Sequence, residues 1–554
     1  MCGIAAIFAY RAPAVDAAEL DAITARMIPR GPDAGGTWIS PDARVGLGSR
    51  RLAIIDLSDE GTQPMWDVER ELVIVFNGEI YNHRELRASL ERGGARFHSQ
   101  TDTEVLLQLY RRDGERMLGL LRGMYAFALW DTRAQRLFVA RDPYGIKPLY
   151  ISDDGSTLRI ASEVKALLAG GAVSSAIDPA GLAGFFLTGS VPEPFTIRRD
   201  IRAVESGTSF VAEVFRNPVP SLVEPQVYVR ERIEESVAQH LVSDVPVGLF
   251  LSAGIDSSAI ASIATRVSRE PLHTFTLAFG REDDESPLAE RFARELGTMH
   301  TTRLVTRDEF LGDLPRILER MDQPTIDGVN TWFVSKAVHE KGVKVALSGV
   351  GGDELFGGYP SFANVPKMVR LARLPLASRI ATFALRHPKA KLIPRYAKSW
   401  AGAWFLQRGL FMPDELPSLM GVDAARDGLE RLALLDRIEE RITPDPGTPF
   451  GRVAAMEASL YMRNQLLRDS DWASMAHSVE VRTPLVDAWL VRQLASTLLE
   501  RRDKSALAAM LPPWLRERKK TGFFVPMREW MELPDDGTPT RMRSWALRVA
   551  GAFR

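Results

Sequence analysis

The sequence predicts two domains in series: an α+β layered domain over residues 2–205, then an α/β domain on a parallel sheet over 227–554, with a helical C-terminal part. Three observations carry this. Residues 1–205 alternate short strand-like runs with Gly-rich turns and contain few helical stretches. Residues 206–226 are Pro-rich and read as a linker. From Tyr228 onward helix, buried strand and helix alternate, the pattern of a parallel sheet that binds ligands at its strand carboxyl ends.

Composition narrows the function classes. The 554 residues are 45% hydrophobic and 25% charged, as in globular proteins. Lys+Arg (70) and Asp+Glu (71) cancel to a net charge of −1, so nothing supports a global nucleic-acid footprint. No run reaches the ~18 apolar residues of a transmembrane segment. The single cysteine, Cys2, excludes an internal disulfide and fits a reducing, cytoplasmic setting. The apolar start lacks the cationic region of a signal peptide.

In the first domain, strands are expected over 44–49, 71–76, 124–131 and 136–140, and helices over 84–92 and 103–112. Cys2 is either a small hydrophobe opening a first strand or, once Met1 is removed, an N-terminal nucleophile. In the second case its α-amine, with a reference pKa of ~7.7–8.0, serves as base for its own thiol. Polar clusters follow: Arg30-Gly-Pro-Asp33, Arg50-Arg51, Phe76-Asn-Gly-Glu79 and Thr101-Asp-Thr-Glu104. Singly these read as turns, a helix cap or a surface cation. Together with an N-terminal Cys they supply what hydrolysis of a side-chain amide needs. Arg51 can pair with an α-carboxylate, and Glu79 and Asp102 can hold an α-ammonium. Asn77 and the Gly78 N–H can stabilise an oxyanion.

With Met1-Cys-Gly-Ile4, Asn77-Gly-Glu-Ile-Tyr-Asn82 and Arg141-Asp-Pro-Tyr-Gly-Ile-Lys-Pro-Leu-Tyr150, residues 1–200 resemble the glutaminase domain of class II glutamine amidotransferases. The resemblance implies an N-terminal-nucleophile hydrolase fold, two β-sheets between helix layers, with Cys2 forming a γ-glutamyl thioester and releasing ammonia. Pro29 and Ser49 stand where that family usually has His.

In the second domain a helix is expected over 230–241, strands over 246–251, 273–279 and 343–347, and a helix over 257–267. The segment Val247-Gly-Leu-Phe-Leu-Ser252-Ala-Gly254-Ile-Asp256-Ser257-Ser258 is a strand, a small-residue turn and a helix start. Such a turn cradles an anion with backbone N–H groups, aided by the hydroxyls of Ser252, Ser257 and Ser258, while Asp256 can hold a phosphate-bound Mg²⁺. Neither a Walker loop nor a dinucleotide fingerprint occurs. The segment resembles the pyrophosphate loop of ATP pyrophosphatases, with Ala253 at the first Gly, a swap expected to be tolerated at negative φ. A second Gly-rich turn, Ser348-Gly-Val350-Gly-Gly-Asp353-Glu354, offers Asp353 as a further metal ligand.

Leu466-Leu-Arg-Asp-Ser-Asp471, Glu480-Val-Arg482-Thr-Pro and Arg518-Lys-Lys520-Thr-Gly extend the match, and the chain resembles the glutamine-dependent asparagine synthetases over nearly its whole length. The resemblance implies ATP and Mg²⁺ as cofactors, with Leu251, Leu277, Ser348 and Gly349 at ATP and Lys520 at the reacting phosphate. It also implies a carboxylate acceptor, aspartate favoured, adenylated and then amidated by ammonia channelled from glutamine. Val350 stands where asparagine-forming members have Glu, and 321–332 differs from their usual stretch. A uronic acid or peptide side chain as acceptor, and a glutaminase-only regulatory or scaffold role, therefore stay open, as does a homodimer. His477 is assigned no role. Residues 360–413 hold ten Lys/Arg and no acid. They are read as a solvated face or as partners of the acid-rich stretch 427–440; a docking surface for an acidic partner is the alternative.

Overall fold

The computed structural model describes residues 2–211, 229–268, 270–281, 284–374, 389–500, 504–517, 525–533 and 542–554. The first domain holds two antiparallel sheets. One is ordered Arg202–Ala203, Tyr150–Asp153, Leu158–Ala161, Gly3–Phe8, Val45–Arg51, Ala34–Ile39, and the other Ser209–Val211, Arg136–Arg141, Gly123–Asp131, Leu72–Ile80, Met65–Trp66.

The period of two along each strand decides the layering. Val73 and Val75 pack with Ile4, Ala6 and Leu47 of the facing sheet, forming the inner core. Ile74 and Phe76 point the other way, onto Val105, Leu106 and Leu109 of helix Asp102–Asp113. Ala5 and Ile7 meet Leu20 and Ile23 of helix Ala17–Arg26. The result is helix, sheet, sheet, helix, as expected. Because both faces are covered, the central strands are continuously apolar rather than alternating. The helices start where side chains satisfy their free N–H groups: Asp16 accepts from Ala18 N, and Thr101 from Glu104 N.

The domain boundary needs correction. Strand Ser209–Val211 pairs with Arg136–Arg141, so the first domain continues past residue 205. Residues 212–226 of that stretch lie outside the described residues.

The second domain carries a five-stranded sheet in the order Met299–Leu304, His273–Ala278, Val247–Phe250, Val345–Leu347, Glu480–Arg482, with every pairing parallel. Chain order reverses at Val247–Phe250, whose neighbours follow it on opposite sides. A crevice opens at the carboxyl end of such a strand. Both Gly-rich turns sit there. The remainder is mainly helical, as expected, around a core that includes Trp332, Phe405 and Trp545. Among the described residues no helix is long and apolar enough to cross a membrane.

The basic stretch divides. Arg408 pairs with Glu457 and Arg395 with Asp414, so these described pairings do not reach 427–440 as expected. Arg431, within the acid-rich stretch, pairs with Asp178 and Asp427 instead. Lys367, Arg370 and Arg373 are exposed, and residues 375–388 lie outside the described residues.

A buried ion pair joins the domains. Arg30 Nη1 and Nη2 donate to the two oxygens of Asp471 at 2.7 and 3.0 Å, and Arg30 Nε donates to the Cys2 carbonyl at 3.3 Å. Removing one partner of such a pair strands a desolvated charge. Asp471→Ala is expected to destabilise the chain by about 3–5 kcal/mol, read as a lower urea midpoint. An unchanged midpoint would show that the pair does not hold the domains together.

Candidate active sites

The first site lies between the sheets' ends. Cys2 is buried immediately before strand Gly3–Phe8, while Asn77, Gly78 and Glu79 come from strand Leu72–Ile80 of the facing sheet. Cys2, Arg51, Gly78, Glu79 and Asp102 line one small cavity. Asn77 lies beside Cys2: the Cys2 N–H donates to Asn77 Oδ1 at 3.0 Å. Asn77 Nδ2 is buried and makes no hydrogen bond, which leaves a donor for an oxyanion. Gly78 has to be glycine, because a Cβ there would sit 2.1 Å from the Met124 carbonyl oxygen.

Electrostatics suit a cationic ligand. Burial pushes the carboxyls of Glu79 and Asp102 above their ordinary range. Asp102 Oδ2 accepts from Ile80 N at 2.9 Å, and an ion pair with Arg482 at 3.3 Å opposes the burial at Glu79. Arg51 lines the cavity but also ties the loop after it, donating to Ser58 O at 2.9 Å and to the carbonyls of Ile55 and Asp56. Sequence reasoning missed Gln63 in this wall, where Oε1 accepts from Phe76 N at 2.7 Å. Nothing in its surrounding Thr-Gln-Pro marks it.

The second site is a cavity of about 440 Å³ at the carboxyl end of strand Val247–Phe250. Leu251, Ser252, Gly254, Asp256 and Ser257 reach it from the first turn, and Ser348, Gly349 and Asp353 from the second. The Ser252 and Ser257 hydroxyls lie 3.1 Å apart at the start of helix Ile255–Val267. Gly349 packs on that start: a Cβ there would lie 3.0 Å from Ser257 N. Two expected residues stay off the wall. Leu277 is fully buried in the domain core, and Ser258 is fully buried on the helix's inner face. Lys520 lies outside the described residues.

Ala253 corrects an expectation. Its φ is +51°, not negative, so this turn uses a left-handed residue without glycine. A non-glycine residue there costs roughly 1–2 kcal/mol, a strain typical of functional turns.

Lys504 is the main residue missed. Its Nζ sits between the carboxylates of Asp256 and Asp353, contacting both. It lies in an ordinary-looking Arg-Asp-Lys-Ser run, and only the fold brings it to the turns. The two acids thus converge on one cation. Among the described residues no group of three or more acidic, His or Cys side chains forms a metal cage. Two carboxylates plus nucleotide phosphates are the donor set Mg²⁺ commonly takes, so these residues fit the ion.

The far wall takes in Val350 and part of 321–332, the two places where the sequence departs from the family, but sequence reasoning assigns its acids no role. Asp327 and Asp469 line the cavity with Asn330, Thr331, Ser470 and Val350. Burial beside Asp327 pushes Asp469 up to about 8, and burial raises Asp327 as well. Asp469 accepts from Thr325 Oγ1 at 2.8 Å and Trp472 Nε1 at 2.9 Å, which fixes its carboxyl toward the cavity wall. His477, edge-on to Trp332 and pushed down to about 3 by burial, stays a neutral core residue.

Burial likewise raises the Cys2 thiol above its ordinary value. The thiolate, the alkylated form, is therefore scarce at neutral pH. In the chain that retains Met1, iodoacetamide labelling of this single cysteine is expected to accelerate with pH to an inflection above ~8.5, the value of a free thiol. An inflection below that would contradict the effect of burial.

Comparison with known proteins agrees with this geometry. The glutamine amidotransferase domain family matches residues 1–218, and the asparagine synthase family matches residues 228–536. Asparagine synthetase [glutamine-hydrolyzing] 1 of Bacillus subtilis (strain 168) is 32% identical, over 96% of this chain and 88% of that protein. Asparagine synthetase B of Escherichia coli (strain K12) is 34% identical over 67% of each chain. Amidase chry2 of Gibberella zeae is 28% identical over 96% of this chain and 90% of its own length. The chain belongs to the glutamine-hydrolysing asparagine synthetase family, ATP-dependent ligases that form a carbon–nitrogen bond with nitrogen from glutamine.

Proposed function

We propose that this enzyme makes asparagine from aspartate, MgATP and glutamine, in the cytoplasm. The observation that carries the choice of acceptor is the pair Asp327 and Asp469 on the far wall of the nucleotide cavity. Two desolvated acids call for a cationic group. Aspartate brings an α-ammonium beside the carboxylate to be activated, whereas a uronic acid brings none.

With Met1 removed, the α-amine of Cys2 takes the thiol proton as Sγ attacks the glutamine carboxamide carbon. Asn77 Nδ2 and the Gly78 N–H stabilise the oxyanion. Arg51 holds the glutamine α-carboxylate, and Glu79 and Asp102 hold its ammonium. The amine returns its proton to the departing ammonia, and water releases glutamate from the thioester.

In the second domain the acceptor carboxylate attacks the α-phosphorus of ATP, and pyrophosphate leaves. Ser252, Ser257 and the backbone of both turns bind the phosphates, with Leu251, Ser348 and Gly349 against the nucleotide. Lys504, and Lys520 by resemblance, neutralise charge developing on the phosphates. Asp256 and Asp353 would hold Mg²⁺, which withdraws charge from the phosphate oxygens. Ammonia then attacks the acyl carbon, AMP leaves and the amide remains.

The first experiment is pyrophosphate release with MgATP and glutamine, with and without aspartate. Aspartate-dependent release with an equal amount of asparagine is expected. Glutamine hydrolysis without that dependence would redirect the search to another carboxylate, such as a uronic acid or a peptide side chain. No pyrophosphate release with any acceptor would indicate a glutaminase-only scaffold.

Two variants refine the reading. Cys2→Ala is expected to abolish glutamine-dependent synthesis and keep synthesis from ammonium chloride; loss of both in a folded protein would contradict two separate sites. Asp327→Asn removes a charged contact worth about 1.5–3 kcal/mol, so the KM for aspartate is expected to rise about 10- to 100-fold. An unchanged KM would remove Asp327 from acceptor recognition.

A further inference from the structure

Glu79 lies in the glutaminase domain, yet among the described residues its ion-pair partner, Arg482, belongs to the other domain. Arg482 is fully buried at the end of strand Glu480–Arg482. Most of its guanidinium is fixed by its own domain. Nε donates to Glu480 Oε1 at 2.6 Å, and Nη1 donates to the carbonyls of His240 and Val242 at 2.8 and 2.6 Å. Those contacts set the plane of the fork and leave Nη2 facing Glu79 Oε1 at 3.3 Å across the domain boundary. The second acid of the glutamine cavity, Asp102, is held from within its own domain by Ile80 N.

We infer that Arg482 is a positioning residue for glutamine hydrolysis, holding the Glu79 carboxylate in place to receive the α-ammonium of glutamine. The inference rests on the reading of Glu79 as an ammonium ligand. It makes the synthetase domain part of the glutamine pocket: the first domain supplies nucleophile, oxyanion donors and both acids, and the second fixes one acid. The backbone of Arg482 already serves the nucleotide site, since Ser348 N donates to the Arg482 carbonyl at 2.8 Å. Side-chain substitutions leave that bond available.

The test measures ammonia release by the full-length chain, unaltered and as Arg482→Lys and Arg482→Gln, with two amides. One is glutamine; the other is glutaramic acid, the same amide without the α-amino group. The unaltered enzyme is expected to prefer glutamine strongly. Arg482→Gln is expected to raise the KM for glutamine about 10- to 100-fold, the range for a lost charged contact, with kcat within about threefold. Its kcat/KM on the des-amino amide is expected to match that of the unaltered enzyme. Arg482→Lys, which keeps the charge and loses the fork, should fall between and serves as the measurable variant if Arg482→Gln does not fold. Equal losses on both amides, a fall in kcat alone or no change in either variant would overturn the inference. If the unaltered enzyme hydrolyses glutamine no better than the des-amino amide, the reading of Glu79 fails first and this inference with it. A retained preference in the unaltered chain with no selective loss in the variants overturns the inference alone.

Discussion

A charge taken out of water has to find a partner, and in this chain two buried ion pairs find theirs across the domain boundary. Arg30 of the first domain is neutralised by Asp471 of the second, and Arg482 of the second faces Glu79 of the first. Each pair ends beside a reacting group: Arg30 on the Cys2 carbonyl, Glu79 in the cavity that Cys2 lines. The desolvation penalty of such charges is several kcal/mol per ion when unpaired. Part of the charge balance of the cavity that Cys2 lines is therefore supplied by the second domain.

The same elements reach the nucleotide cavity within a few residues. Helix Arg468–Met475 sends Asp471 to Arg30 and Asp469 into the cavity wall. Strand Glu480–Arg482 sends the Arg482 side chain to Glu79 and its carbonyl to Ser348. Two short rigid elements thus touch both sites. Their stiffness comes from burial, which leaves each side chain few alternative rotamers. A shift of either element by a fraction of an ångström would register in both cavities.

Much of this was legible in the chain, for identifiable reasons. Apolar runs bounded by Gly-rich turns mark the central strands: 71–76 overlaps strand Leu72–Ile80 in all but its first residue, and 124–131 falls inside Gly123–Asp131. The reactive groups of the glutamine site come from short local motifs, so Cys2, Gly78, Glu79 and Asp102 converge as read. What escaped was set by long-range contact. Lys504 lies nearly 250 residues after Asp256, in a run with no motif, and only the sheet's topology joins them. The edge strand Met299–Leu304 is half exposed and carries two Thr and a His, so it shows no apolar run. Ala253 was misread because a residue's sign of φ follows from the turn it must close, not from its own side chain.

Val350 and the far wall are best understood together. An apolar side chain at position 350 can neither accept a proton nor bind an ammonium, so the polarity of an acceptor site must come from elsewhere on the wall. Asp469 and Asp327 supply it from a helix and a loop that the second Gly-rich turn does not contain. Raised to about 8, Asp469 holds a proton at neutral pH in the absence of a cation. On the proposed aspartate reading, an arriving ammonium lowers the cost of ionising it, and the proton is released as the acceptor binds. On the same reading, the proton on Asp469 limits its repulsion with the ATP phosphates until the acceptor's ammonium arrives.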